Sequence, residues 1–187
     1  MSSTQILAQL VGAVGIALLL SSTFMRRRVL LLALDAAGSA VMGIHWALLG
    51  GTAGIAISAV VVVMDLAGTD PRNPRGRVVL IASLPVTAVL LAVFWTGPVD
   101  ILAGLGLLGI ALSRLSAGQI RLRALSMAAC VPWISYGVLM VSIPQIAFSA
   151  AYFVFMGVSI LRIRSGRWPM PAATTPADAA ILPADGP

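Results

Sequence analysis

The single histidine of the chain, His45, lies in the apolar segment SAVMGIHWALLGG at residues 39–51. An imidazole changes its charge near neutral pH, so it can exchange a proton or hydrogen-bond a polar solute. Asp35 is a second ionisable side chain in an apolar segment, where a carboxylate costs about 2.5–3.5 kcal/mol at a helix centre on membrane-insertion scales. A residue that is this costly to bury usually has a partner or a task. The sequence offers Arg28, seven residues earlier, as a partner for Asp35.

The residue types that most enzymes need are scarce in this chain. It has one histidine, one cysteine, no lysine and no glutamate. Neither paired carboxylates nor a nucleophile beside a base can be recognised, and a metal site would lack ligands. A retinal Schiff base is excluded because it needs a lysine. We therefore predict that the protein is not an enzyme, with no catalytic residue, no cofactor and no bound metal.

The composition indicates an integral membrane protein. Hydrophobic residues make up 59% of the 187 residues and charged residues 10%, with a mean hydropathy of +1.02. Soluble domains contain about 25% charged residues. Long apolar runs alternate here with short clusters of arginine, glycine and proline, and a helix needs about 20 residues to cross a bilayer. We predict seven transmembrane helices, at about 5–25, 29–49, 51–66, 78–95, 98–113, 122–141 and 144–161.

All twelve basic residues are arginines, and they form four groups along the chain. With seven spans, these groups occupy the first, third and fifth loops and the exit from the last span, which all lie on one side of the membrane. Basic loops stay in the cytoplasm, so we predict an external amino terminus and a cytoplasmic carboxyl terminus. Arginine clusters also bind nucleic acid, but clusters that flank spans set topology and contact anionic lipid. We expect the lipid bilayer as a partner and no nucleic acid.

An internal duplication is indicated when the chain is laid on itself at an offset of 91 residues. Spans one, two and three then align with spans five, six and seven, and span four has no counterpart. The offset pairs Gly15 with Gly106, Ser22 with Ser113 and Ser58 with Ser149. Both units would enter the membrane in the same direction. The predicted fold is an all-α integral membrane protein with seven transmembrane helices, arranged 3+1+3 with parallel internal repeats.

The predicted organisation follows from this duplication. Residues 1–167 form the membrane domain, and residues 168–187 form a disordered cytoplasmic tail rich in proline and alanine. Within the membrane domain, the first three-helix repeat is predicted at 5–67, a loop with the linker helix at 68–97 and the second repeat at 98–167.

The few polar side chains of the spans predict a central route between the repeats. On span two, Asp35, His45 and Trp46 share one face at 100° per residue, and the offset places Tyr136 opposite His45. The predicted pathway residues are His45, Tyr136, Trp133, Gln9, Ser58, Ser149, Asp35, Trp46 and Gln145. A structural interpretation stays open for most of them. The histidine could bind a neighbouring backbone group, the aromatic rings could anchor the membrane interface, and the serines could serve close helix packing.

Several segments carry a resemblance to a known family. LAQLVG at 7–12, SAVMGIHWALLG at 39–50, PVDIL at 98–102 and MGVSILR at 156–162 resemble the YgjV-type family of bacterial inner-membrane proteins. That family is distantly similar to the MtN3/PQ-loop group, which includes the SWEET sugar carriers. The resemblance implies the inner, cytoplasmic membrane as location and an architecture of three helices, a linker helix and three more.

Two functions fit this sequence. The first is a carrier for a small polar metabolite that works by alternating access between two three-helix repeats, with Pro85 and the glycine-rich span five allowing movement. The alternative is a non-transporting membrane module that binds a partner protein or lipid. A carrier should have a hydrated cavity between the repeats, whereas a packing module should be closed and dry there. The sequence leaves the substrate open, and a homo-oligomer fits either function.

Overall fold

The computed structural model describes residues 3–48, 52–93, 97–139 and 143–167. Within these ranges the chain forms seven α-helices and no strand. They are α1 (Ser3–Ser22), α2 (Arg28–Leu48), α3 (Thr52–Ala67), α4 (Pro74–Val93), α5 (Asp100–Leu115), α6 (Gln119–Leu139) and α7 (Ile143–Arg164). The helices lie at the positions of the seven apolar segments, so the prediction of an all-helical fold is confirmed for the part of the chain that the structure describes. The tail predicted to be disordered, residues 168–187, lies outside the described residues.

Four of these helices are long and apolar enough to cross a membrane. They are α1, α2, α4 and the stretch Gln145–Arg164 of α7. α3 and α5 have 16 residues each, which corresponds to about 24 Å of helix. The outer surface of the molecule is apolar, and Leu10, Val78, Val93 and Leu161 are 62–68% exposed. A bilayer accommodates such a surface, whereas soluble proteins rarely present apolar patches of this extent.

The start of α4 shows how a short polar loop reverses the chain. Asn73 Oδ1 accepts hydrogen bonds from the backbone N–H groups of Arg75, at 3.0 Å, and Gly76, at 3.4 Å. Asn73 thus caps the helix, and Pro74 follows at the first helical position, where its missing N–H is not needed. Asp70 Oδ1 accepts from the backbone N–H of Arg72 at 3.0 Å, which tightens the preceding turn.

Six of the seven helices form a ring. α2 packs extensively on α1 and α3, and α6 packs extensively on α5 and α7. We call α1–α3 the first triplet and α5–α7 the second triplet. The triplets meet where α3 contacts α5 and where α1 contacts α7, which closes the six-helix ring. α4 lies outside the ring and packs on α3 and α5.

Two buried apolar clusters fill the contacts between the triplets. The first joins α2 to α6 and α7 and consists of Leu31, Leu32, Leu122, Cys130, Tyr152 and Met156. The second joins α3, α4 and α5 and consists of Met64, Leu80 and Ala111. Burial of these side chains is the main apolar contribution to holding the ring together in this conformation.

The same contact recurs in both triplets at the offset of 91 residues. Met42 on α2 lies against Gly15 on α1, and Trp133 on α6 lies against Gly106 on α5. A Cβ atom at Gly15 would come within 3.1 Å of Met42 Cγ, and one at Gly106 would collide with the Trp133 indole. Glycine at both positions therefore permits the middle helix of each triplet to approach the first.

Candidate functional site

A buried arginine between two carboxylates forms the centre of the polar interior. Arg114, in the last turn of α5, donates from Nε to Asp65 Oδ1 at 2.7 Å and from Nη2 to Asp35 Oδ2 at 2.8 Å. Arg114, Asp35 and Asp65 are 3%, 2% and 0% exposed. Two carboxyl groups therefore share one guanidinium.

Hydroxyl groups extend this centre to the remaining ring helices. Ser22 Oγ donates to Asp35 Oδ1, and the Tyr152 hydroxyl donates to Asp35 Oδ2 at 3.1 Å. Arg114 Nη1 donates to Ser126 Oγ at 2.9 Å. Each ring helix thus supplies one side chain to a connected set, which we call the ring network: Ser22, Asp35, Asp65, Arg114, Ser126 and Tyr152.

Two further arginines bridge the triplets in reciprocal fashion. Arg28, at the start of α2, donates to the carbonyl oxygens of Ser116 and Arg114 in the second triplet, and from Nε to that of Gly68 at 2.7 Å. Arg123, near the start of α6, donates to the carbonyl oxygen of Met25, just after α1, at 2.5 Å. Met25 and Ser116 correspond at the offset of 91. We call Arg28 and Arg123 the bridging arginines.

The ring network and the bridging arginines lie at one end of the ring. Ser22 ends α1, Arg28 begins α2, and Asp65 and Arg114 lie in the last turns of α3 and α5. Ser159 on α7 adds a hydrogen bond to the Thr23 carbonyl oxygen at 2.6 Å. This is the end that carries the arginine groups, and we call it the arginine-rich end. Polar contacts between the triplets close it.

His45, Trp46 and Ser58, which the sequence places on the pathway in the first triplet, lie outside the ring network. His45 is buried, its Nδ1 lies 2.8 Å from the Ala8 carbonyl oxygen, and its ring covers Gly12 of α1. Because a carbonyl only accepts, Nδ1 carries a proton in this bond. The His45 and Trp46 rings lie 5.1 Å apart at 67°. Ser58 is buried on α3. His45 thus makes the backbone contact that the structural interpretation foresees.

The predicted pathway residues of the second triplet form two pairs. Trp133 and Tyr136 make an edge-to-face ring contact at 5.9 Å. Gln145 Nε2 donates to Ser149 Oγ at 3.0 Å, and Ser149 is buried. Gln9, by contrast, is exposed on α1. Of the predicted pathway residues, only Asp35 belongs to the ring network.

The partner of Asp35 differs from the sequence-based prediction. We expected Arg28, but Asp35 pairs with Arg114, because Arg28 donates to three backbone carbonyls at the ends of α3 and α5. The sequence-based prediction does not include Asp65, Arg114 and Arg123 as site residues. The two arginines belong to the arginine groups that predict membrane topology, so they are not assigned to the interior. One clue was present in the sequence. A chain without lysine can neutralise carboxylates in its apolar segments only with arginine or with its single histidine.

A groove also runs between α3 and α4. It has a volume of about 340 Å³, and its walls are almost entirely apolar. The residues that line it are Ala59, Val60, Val63, Val79, Ala82, Ser83 and Val86. It therefore lies beside the linker helix and not between the two triplets. Among the described residues, no group of three histidine, cysteine or acidic side chains could hold a metal ion.

Comparison with protein families gives a match over most of the chain. The Imp-YgjV family, described as a bacterial inner membrane protein, matches residues 6–167. The match therefore includes both triplets, α4 and every residue of the ring network. No curated protein and no solved structure matches the chain.

Proposed function

The chain belongs to the Imp-YgjV family of bacterial inner membrane proteins, and from this premise we propose that it is a carrier that moves a small polar solute by alternating access between its two triplets. In this proposal all seven helices cross the membrane as 3+1+3 parallel repeats. The amino terminus lies outside, and the arginine-rich end faces the cytoplasm.

The recurrence of contacts at the offset of 91 residues supports the repeats. Met42 on Gly15 matches Trp133 on Gly106, and the bridging arginines reach corresponding carbonyls in the opposite triplet. Such equivalence is expected when two copies of one unit face each other across an axis along the membrane normal. The packing of α2 between α1 and α3, and of α6 between α5 and α7, fits the same arrangement.

The closure of the arginine-rich end is the observation that carries the carrier proposal. All six ring helices contribute to one polar network there, and the bonds from Arg28, Arg123 and Ser159 run between triplets. When such an end opens, water can replace these hydrogen bonds and ion pairs. Their net contribution to the free energy that keeps the end closed is therefore modest compared with their number. A carrier needs one closed end in each state.

A solute would bind away from the closed end in this scheme. His45 with Trp46 in the first triplet, and Trp133 with Tyr136 in the second, provide paired aromatic and polar groups on the helices that carry the network. Aromatic faces and a few hydrogen-bonding groups are typical of sites for small polar molecules.

Cross-linking the closed end tests the proposal. In a Cys130→Ser background, Thr23→Cys and Ser159→Cys place two thiols where α7 contacts the turn after α1. Reconstituted protein is screened for flux of a metabolite panel, first reduced and then oxidised. We expect oxidation to abolish the flux of any transported solute and reduction to restore it, with Thr23→Cys alone as the matched control. Flux that survives a complete cross-link would contradict alternating access.

The apolar groove favours the second candidate function, a non-transporting module that binds lipid. Its lining of valine and alanine suits an acyl chain, and it lies on the outside of the ring between α3 and α4. Under this alternative the ring network only holds helices together. Three results together would support the lipid-binding module. Lipid stays bound through purification, Ala59→Phe displaces this lipid while Val93→Phe at an exposed position does not, and no solute is transported.

A further inference from the structure

The two carboxylates of the ring network have very different environments. Asp35 accepts three hydrogen bonds, from Ser22 on Oδ1 and from Arg114 and Tyr152 on Oδ2. Arg114 is only a donor, and both hydroxyl groups are able to donate, so all three contacts suit an ionised Asp35, which only accepts. Asp65 accepts from Arg114 through Oδ1, while its Oδ2 is buried without a hydrogen-bond partner.

Ionisation of both carboxylates would leave the network with one negative charge in excess. Arg114 supplies a single positive charge to Asp35 and Asp65, and none of the three side chains is more than 3% exposed. An unpaired charge at such a site is costly because neither water nor a counterion can reach it.

The other buried arginines near α3 donate to backbone carbonyls and to a methionine sulfur. Arg28 donates to carbonyls at the ends of α3 and α5, where the helix dipoles are negative, and it also interacts with Asp70. On α4, which packs on α3, Arg75 and Arg77 are exposed to solvent. On α6, Arg123 donates to Met25 and contacts Met156, and its charge also interacts with Asp35. The remaining titratable groups that face the network are Cys130 on α6 and Tyr152 on α7, both of which are neutral when protonated.

A metal cation does not fit the unpartnered oxygen. Hard cations take several oxygen ligands, whereas Asp65 Oδ2 has no hydrogen-bond partner among the described residues. The same residues contain no cluster of three metal-ligating side chains. A proton needs neither a cage nor additional space.

We propose that Asp65 Oδ2 is a proton-binding site, and that the closed ring network is the form in which this proton is bound. Oδ1 then serves as the neutral acceptor for Arg114, while Asp35 keeps the negative charge that balances the guanidinium. Loss of the proton from Asp65 destabilises the closed arginine-rich end, because two negative charges then share one arginine. In the carrier this links proton release to opening, a consequence that rests on the proposed function. The proton site itself does not require transport.

The pH dependence of unfolding tests the site directly. Above about pH 4 an aspartate in an unfolded chain has lost its proton. If the native state still holds a proton on Asp65 at such a pH, unfolding releases that proton. Stability therefore falls as the pH rises, by about tenfold in the folding equilibrium constant per pH unit while the proton is held. We measure thermal unfolding of the full chain in detergent for the wild type, for Asp65→Asn and for the exposed control Asp70→Asn.

The difference between the wild-type and Asp65→Asn profiles isolates Asp65, since all other ionisable groups are common to both proteins. We expect the wild type and Asp70→Asn to lose stability with rising pH relative to Asp65→Asn, whose amide mimics the protonated carboxyl group. Parallel profiles for the wild type and Asp65→Asn would overturn the proposal.

Infrared spectroscopy gives a second readout that does not depend on a folded variant. The wild type at neutral pH should show the carbonyl stretch of one protonated carboxylic acid shielded from solvent exchange, and its absence would overturn the proposal. Replacing choline chloride by sodium chloride should leave the unfolding of the wild type unchanged. If sodium raises the unfolding temperature of the wild type but not that of Asp65→Asn, the site binds sodium, and the proposal of proton binding is overturned. Neither measurement involves solute flux. A failure of the proton site and a failure of the carrier proposal can therefore be told apart.

Discussion

Arg114 determines the state of the polar interior at the scale of single residues. Its guanidinium contacts Asp35, Asp65, Ser113 and Ser126, and all of these side chains are buried. A buried ion pair often contributes little to stability compared with an apolar replacement of the whole set, but removal of one member leaves the others uncompensated. The network is therefore sensitive to single substitutions.

Arg114→Met should destabilise the protein strongly, because it leaves the buried side chains of Asp35 and Asp65 without the cation that they share. The expected loss is about 3–5 kcal/mol of the free energy of unfolding. Thermal or denaturant unfolding in detergent measures it. Arg121→Met, at an exposed arginine just beyond the same loop, is the matched control and should unfold like the wild type. Equal stability of the two variants would show that the network does not hold the fold.

The sequence predicts the chemistry of this site only in part. It identifies Asp35 as a buried carboxylate that needs a partner, since its cost in an apolar helix is a local property. It does not identify Arg114, because an arginine beside a loop looks the same whether its side chain extends to lipid headgroups or into the ring. That choice depends on the rotation of α5 and on its neighbours, which no local pattern encodes.

Packing between neighbouring helices depends on small residues at the scale of secondary-structure elements. Gly15 and Gly106 occupy corresponding positions on α1 and α5, and each is covered by a large side chain from the next helix. Without a strong hydrophobic force between helices in lipid, such close contacts supply much of the association energy.

Gly106→Ala should separate α5 from α6, because its methyl group would collide with the Trp133 indole. Overpacking of this kind costs about 1–3 kcal/mol. The melting temperature should fall, and the double variant with Trp133→Leu should recover part of the loss, which a double-mutant cycle quantifies. Gly97→Ala, where no atom lies within 4 Å of the added group, is the control. A purely additive cycle would contradict the contact.

The elements themselves are predictable from the sequence to a large extent. Seven apolar runs become seven helices at the expected places, since long apolar stretches and short polar breaks determine them locally. The order around the ring, with α2 between α1 and α3 and with α4 outside, is not visible in any run of residues. It follows from contacts between helices that are distant in sequence.

The distribution of arginines decides the proposed orientation at the scale of the whole molecule. Arg72 lies in the loop before α4, and Pro98 lies in the turn between α4 and α5. The two residues therefore lie beyond opposite ends of α4. The proposed topology places Arg72 in the cytoplasm and Pro98 outside.

Single cysteines can test this orientation, because the native Cys130 is buried and is replaced by serine. A membrane-impermeant maleimide should label Pro98→Cys in spheroplasts and Arg72→Cys only in inverted vesicles. Each variant serves as the control for the other. Labelling of Arg72→Cys from outside would show that the orientation is opposite to the proposed one and that the closed end of the ring lies on the external side.

The position of α4 has a consequence for how the molecule assembles. Because α4 contacts α3 and α5 but takes no part in the ring network, it acts as a covalent tether between two halves that already complement each other. Such a tether replaces a diffusive encounter by an intramolecular one, at an effective concentration on the order of millimolar. Halves severed in the loop before α4 should therefore reassemble when they are abundant in the bilayer and drift apart when they are dilute.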